Sequence, residues 1–234
     1  GAFNLTELYQ GTVLREGYPR NSVFFDQAHG KLLKETLGYQ DCQLSVYMPT
    51  FRGHTDDVEG DTYVEQVRHY LEVLDQGMQD NQILLLKLHP LVQKGLDLDS
   101  YHHIRPFPSE LDTYDVLNAC DVLITDYSSV MYDFANTGRK IILFAYDLED
   151  YMGHRGMYED IRSYPFPIVR TPEALLAELR NPGGSADREF LDKYCTFDRQ
   201  QATRNICRHV LLGKYLCQEH RMPVTTKKKI LLYA

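Results

Sequence analysis

The chain has 234 residues, 43% hydrophobic and 25% charged, with a net charge of -8. That make-up suits an ordinary globular protein long enough to bury a real core. So acidic a chain is a poor match for nucleic acid, which demands a basic surface, although a small phosphorylated ligand needs only a local cationic or N–H-lined pocket.

Five cysteines (Cys42, Cys120, Cys195, Cys207, Cys217), odd in number and without a CxxC pair, argue against a disulfide framework or a zinc site and suit a reducing compartment. No apolar run approaches the ~18 residues of a membrane span, and no secretory leader is recognisable.

In chain order, apolar runs rich in branched residues predict strands at Leu44–Met48, Ile83–Leu88, Val122–Thr125, Ile141–Ala145 and Pro167–Val169. The central runs are continuous rather than alternating, as in strands buried on both faces. Helical spacing predicts helices over Thr62–Met78, Glu110–Ala119 and Ser129–Thr137, the last closed by Gly138 as C-cap. Thr171-Pro172-Glu173 reads as N-cap, first position and dipole-facing acid of another helix. A final helix is expected from about Gln200 to Gln218. Alternating strands and helices mean βαβ units, and hence an α/β fold on a parallel sheet.

Ligands of such sheets bind at the carboxyl ends of the strands. Polar residues cluster there. Pro49-Thr50-Phe51-Arg52-Gly53-His54 follows the first run. Lys87 and His89-Pro90 close the second, and Lys87 and His89 share strand parity. Thr125-Asp126-Tyr127-Ser128-Ser129 follows the third, ahead of a helix bearing Asp133. Two readings of Ser128-Ser129 are compatible: plain capping, and anion binding by hydroxyls and free N–H groups at a helix start. Asp126 reads as a turn or capping residue. Asp133 reads as a dipole contact or a partner for a ligand hydroxyl. His102-His103 reads as a surface pair. The absence of HxxxH, HExxH, GxxxxGK[ST] and GxGxxG patterns disfavours a zinc site, a P-loop and the usual dinucleotide fold.

Ordered segments carry a resemblance. They are Gly17-Tyr18-Pro19-Arg20-Asn21, Tyr47 to Arg52, Leu86 to Pro90, and the long string Asp121 to Asp133. Tyr151–Tyr158, Phe166–Val169 and Tyr194–Asp198 continue it. Together they resemble the C-terminal half of the CDP-glycerol:poly(glycerophosphate) glycerophosphotransferase family.

The resemblance implies the Rossmann-like, donor-binding C-terminal domain of a GT-B architecture. It implies transfer of a polyol phosphate, glycerol phosphate first, from CDP-glycerol or CDP-ribitol to a lipid-linked polyol-phosphate acceptor, with release of CMP, on the cytoplasmic side of the membrane. By carry-over, Arg20, Pro49, Thr50, Lys87, Leu88, Ser128, Ser129 and Asp133 line the donor site. His89 faces the pyrophosphate as the catalytic group. No tightly bound cofactor is implied; a divalent cation such as Mg2+ is compatible with the donor pyrophosphate. Expected boundaries are 1–40 for a connection and first helix, 41–220 for the donor domain, and 221–234 for a tail.

There are departures. The family's second catalytic histidine lies in a His-Gly motif before the GYPRN segment, and no histidine precedes Gly17 here. His29-Gly30 follows that segment and is no equivalent. The expectation is that this chain lacks its N-terminal partner domain and alone binds donor weakly and turns over poorly. The tail Lys227–Ala234 reads as a basic tail with a short strand, or as the start of a second module. Two rival readings share these residues: a GT-B enzyme using a nucleotide sugar, and a non-catalytic nucleotide-binding module.

Overall fold

The computed structural model describes residues 12–52, 59–154, 159–181, 183–213 and 219–221. Gly53-His54, Arg155–Tyr158 and the tail Lys227–Ala234 lie outside the described residues.

A six-stranded parallel sheet forms the centre. Its strands are β2 (Gln43–Tyr47), β3 (Gln82–Leu86), β4 (Ile104–Pro106), β5 (Val122–Thr125), β6 (Lys140–Phe144) and β7 (Ile168–Val169). They lie in the order β4-β3-β2-β5-β6-β7. A small antiparallel pair, β1 (Thr12–Leu14) with β8 (Glu219–Arg221), stands apart. The five predicted strands are all present, each within two residues of expectation. Edge strand β4 is additional.

The continuous apolar runs serve two cores at once. Side chains alternate across a strand. Leu44 and Val46, Leu123, and Ile141 and Leu143 therefore enter one core, and Val122 and Ile124, with Ile142 and Phe144, enter the other. Every one of these side chains is at most 2% exposed. Both faces must then be covered, and the helices do this.

On the first face lie α1 (Gln27–Thr36), α4 (Thr113–Ala119), α5 (Val130–Phe134) and α8 (Arg188–Tyr194), with a 3-10 turn over Pro19–Phe25. Phe24, from that turn, is buried against Phe134 and Tyr114. Residues 19–36 thus form part of the cover of the sheet. The second face takes α2 (Glu59–Gly77), through Val67, Leu71 and Leu74, and α7 (Pro172–Arg180), through Leu175 and Leu179. The remaining helices are α3 (Pro90–Gln93), α6 (Leu148–His154) and α9 (Ala202–Leu212).

Local signals set the helix ends. Thr171 caps α7 by accepting from the Ala174 N–H. Asp112 caps α4, so that helix starts three residues later than expected. The helix beginning at Val130 loosens into a 3-10 turn over Ala135–Thr137, then closes at Gly138, whose φ of 67° is the left-handed C-cap conformation. Helix α9 ends at Leu212 rather than Gln218, because Gly213 adopts the same conformation.

Candidate functional site

The strand order decides where a site can form. From β2 the chain steps outward to β3 and β4, then returns to place β5 on the other side of β2. The loops leaving β2 and β5 diverge, and a crevice opens outside their carboxyl ends, where open α/β sheets bind ligands. The loop Met48–Arg52 and the loop Asp126–Ser129 form the walls of this switch point. Lys87 and His89 follow from the end of β3, next to β2.

The two walls are pinned together. Thr125 Oγ1 donates to the Met48 carbonyl at 2.7 Å. Asp126 is fully buried. Its carboxylate accepts from the Thr50 N–H at 2.9 Å, the Thr50 hydroxyl at 2.8 Å and the Tyr127 N–H at 2.6 Å. Arg52 completes this set at 2.7 Å. A lone carboxylate at such depth would cost several kcal/mol, and these donors offset that cost. Arg52 also forks onto Asp147 at 2.6 and 3.1 Å, and its guanidinium lies near the rings of Tyr127, Tyr146 and Tyr151. Burial lowers the Arg52 pKa, but the bond to Asp147 and the charge of Asp126 outweigh it and hold the group above its usual range.

Lys87 lies half-buried one residue past β3, its ammonium 4.1 Å from the centre of the Phe107 ring. Burial lowers its pKa. Among the described residues no carboxylate lies within ion-pair distance of it. His89 caps α3: its Nδ1 accepts from the Leu91 N–H at 3.4 Å. In the neutral ring this leaves the proton on Nε2, which is the nitrogen free to donate. The ring of Phe51 stacks on His89, with centroids 4.1 Å apart and planes at 26°. Beside Lys87 lies an open cleft of about 650 Å³, lined by Leu88, Pro90, Gln93, Phe107 and Glu110. The Leu88 side chain is 7% exposed and belongs largely to the core.

Arg20 forms a second cationic corner. It binds the Asp133 carboxylate through Nε at 3.3 Å and Nη2 at 3.1 Å, between the rings of Tyr18 and Tyr114. Its side chain remains 46% exposed. Asp133 itself is buried and also accepts from Asn21 Nδ2 at 2.9 Å and Tyr114 Oη at 2.8 Å. Its oxygens therefore hold Arg20 in place and face away from open solvent. Burial, then the bond to Asp133, pushes the Tyr114 hydroxyl up to about 12.

Ser129 occupies the N-cap position of α5, but its side chain makes no capping bond. Its neighbour Ser128 makes a long one, its Oγ accepting from the Val130 N–H at 3.5 Å. The Ser129 hydroxyl is exposed at the crevice and has no partner among the described residues.

The structure thus brings Thr50, Lys87, His89, Ser128 and Ser129 to adjacent strand ends, with Pro49 between two of them. Arg20 and Asp133 sit together on the first face, where Asp133 lies one turn into α5. Sequence reasoning placed Phe51 and Arg52 in the strand-end motif without giving them a role, and it missed Asp147 and Tyr114 as parts of this arrangement. Among the described residues no group of three His, Cys, Asp or Glu side chains is arranged to hold a metal ion. Among the described residues no helix is long and apolar enough to cross a membrane.

Known proteins share this arrangement of chain. A teichoic acid glycerol-phosphate transferase of Staphylococcus aureus is 31% identical over 220 residues, which is 88% of this chain and 56% of that protein. A teichoic acid poly(ribitol-phosphate) polymerase of Bacillus spizizenii is 31% identical over 182 residues, 72% of this chain and 28% of its own length. The solved structure of the wall teichoic acid polymerase TagF superposes with a TM-score of 0.67 at 29% identity, covering 84% of this chain and 50% of that one. A TagF variant soaked with CDPG gives 0.68 at 29% identity, over 85% and 51%. The chain spans about half the length, or less, of these relatives. The matched half of TagF agrees with the expected Rossmann-like domain of a GT-B enzyme. The sequence model of the CDP-Glycerol:Poly(glycerophosphate) glycerophosphotransferase family matches residues 2–212, and the chain belongs to that family.

Proposed function

We propose that this chain forms the donor site of an enzyme that transfers a polyol phosphate from a CDP-activated donor to a hydroxyl of a growing teichoic-acid-type or capsular polymer, releasing CMP. The observation that carries this reading is Lys87: a half-buried ammonium without a carboxylate partner among the described residues, beside His89 at the switch point. A cation held in that state favours an anionic ligand. The family's donors, as its relatives' names describe them, deliver glycerol phosphate and ribitol phosphate.

In this reading the pyrophosphate lies across the crevice. The hydroxyls of Ser128 and Ser129, at the start of α5, hold one phosphate. Lys87 and the exposed edge of Arg20 neutralise charge. Thr50 and Pro49 shape the wall beneath. His89 Nε2–H donates to the phosphate oxygen on which charge builds as the bond to CMP breaks. The acceptor hydroxyl attacks phosphorus from the opposite side, and its proton passes to a base outside the described residues. Such chemistry needs positioning and charge neutralisation more than a covalent intermediate. Adjacent strands lie about 4.8 Å apart, so the cleft by Phe107 is two to three strands from α5, a fitting place for the nucleoside. A divalent cation such as Mg2+ would travel with the pyrophosphate. The acceptor would be lipid-linked, and docking to the membrane face would fall to the rest of the protein.

Calorimetric titration of this chain with CDP-glycerol, CMP and UDP-N-acetylglucosamine tests the reading. Binding of the cytidine ligands, weakened at least about tenfold by Lys87→Ala, is expected. Tighter binding of the UDP-sugar would overturn it in favour of a nucleotide-sugar enzyme.

A further inference from the structure

The buried Asp126 carboxylate at the mouth of the crevice invites assignment as a catalytic base, but its surroundings say otherwise. Its oxygens are taken up by the Thr50 N–H and hydroxyl, the Tyr127 N–H and the Arg52 guanidinium. It is 0% exposed. No lone pair is left facing a ligand. What Asp126 holds is the loop after β2, and it holds it tightly. Arg52 Nη1 adds a bond to the Thr50 carbonyl at 2.6 Å. Its other nitrogens anchor on Asp147 at the end of β6, where Tyr127 Oη also donates at 2.9 Å. Three strand ends, those of β2, β5 and β6, are clasped around one guanidinium.

Between the two clasped residues, Thr50 and Arg52, stands Phe51. Its ring leaves the clasp and stacks on His89. Among the described residues the His89 ring makes no other ring contact, and its one hydrogen bond is the weak 3.4 Å bond that caps α3. The exposed imidazole therefore takes its orientation from a loop that Asp126 fixes. A stacked aromatic pair of this kind favours one ring orientation by about two- to tenfold.

We propose that Asp126, with Arg52 and Asp147, is a positioning device for His89, acting through Thr50 and the Phe51 ring. The clasp joins the phosphate-facing loop of β5 to the imidazole at β3, so that both present themselves to the donor as one unit. The catalytic value of the device rests on the donor-site reading above. The structural linkage does not, and can be measured without any donor.

The test follows the His89 ring by 1H–15N correlation in this chain. Phe51→Leu should remove the ring-current shift of the His89 protons and change the ratio of its two neutral tautomers, with circular dichroism unchanged. Asp126→Asn keeps shape but puts an amide donor against other donors. It should shift the same His89 signals, although Asp126 does not touch that ring. If Asp126→Asn fails to fold, Arg52→Lys keeps the charge and loses the fork, and the same shift is expected. His89 signals that match wild type in folded Asp126→Asn or Arg52→Lys would overturn the proposal. So would an unmoved His89 in Phe51→Leu. Failure of the wild-type chain to bind CDP-glycerol would remove the donor-site reading and leave these shifts to decide the linkage alone.

Discussion

Asp133→Asn exposes most clearly how the Arg20 corner is built. The wild-type carboxylate is about 5% exposed and receives donors from Arg20, Asn21 and Tyr114. Asparagine keeps one acceptor oxygen and replaces the other with an NH2 group that confronts these donors. The Arg20 side is half in solvent, so its ion pair must be discounted for screening and counted near the low end, about 1 kcal/mol. Asn21 Nδ2 and Tyr114 Oη are the costlier losses. A buried donor left unpaired costs about 1–3 kcal/mol. Asn21 retains a second acceptor, Asp198 Oδ2 at 2.8 Å, and should fall low in that range. The sum is about 3–4 kcal/mol, a large share of the 5–15 kcal/mol typical of a whole domain. Urea unfolding followed by fluorescence should show the midpoint reduced by about 1–2 M at unchanged slope. Arg20, released from its fork, should also support donor binding less well. A midpoint within about 0.3 M of wild type would refute the argument, because it would mean the carboxylate's three partners are satisfied equally well without its charge.

Three further outcomes are expected. Ser129→Ala should leave stability within about 0.5 kcal/mol, because the side chain makes no cap, while donor affinity in calorimetry falls several-fold. Lost stability with intact affinity would restore the capping role. Gly30→Ala should destabilise by about 1–3 kcal/mol in urea unfolding, since a Cβ there would lie 2.3 Å from the Asn118 carbonyl oxygen, where α1 meets α4. The Tyr114 hydroxyl, raised to about 12 in the folded state from 10, is neutral when folded where the unfolded form has ionised. Its contribution is complete below pH 10 and is lost as pH rises from 10 to 12, so Tyr114→Phe should flatten that limb of the stability–pH profile.

The strands were legible because a residue buried on both faces has no polar alternation to disguise it. β4 was not, being a three-residue edge strand in which Arg105 and Pro106 are only partly covered. The antiparallel pair of β1 and β8 joins residues some two hundred positions apart, and no local pattern encodes such a partner. The placement of Lys87, His89 and Ser129 could be anticipated from the rule that ligands meet strand ends. The partners of Asp126 could not: Thr50 and Arg52 reach it from another strand, and an aspartate after a strand looks the same whether it caps, catalyses or clasps. Asp133 shows the same ambiguity. Its helix position was readable, while its engagement by Tyr114 and Asn21 depends on how α4 and the Pro19–Phe25 turn pack.

Asp198 ties together stretches far apart in the chain. Its carboxylate takes the Tyr18 N–H, Asn21 Nδ2 and Asn136 Nδ2 at 2.8–2.9 Å, and Gly17, with a φ of 75°, lies against it so closely that a Cβ there would fall 2.5 Å from its oxygen. The two margins of the domain are thereby buttoned to each other beside the Arg20 corner. For protein engineering, the indivisible cassette runs at least from Glu16 through Asn205, because Thr203 also bonds the Pro19 carbonyl and Asn205 bonds Glu16. A fusion, swap or truncation that trims either margin to the outermost strands would keep the sheet and lose the arginine's footing.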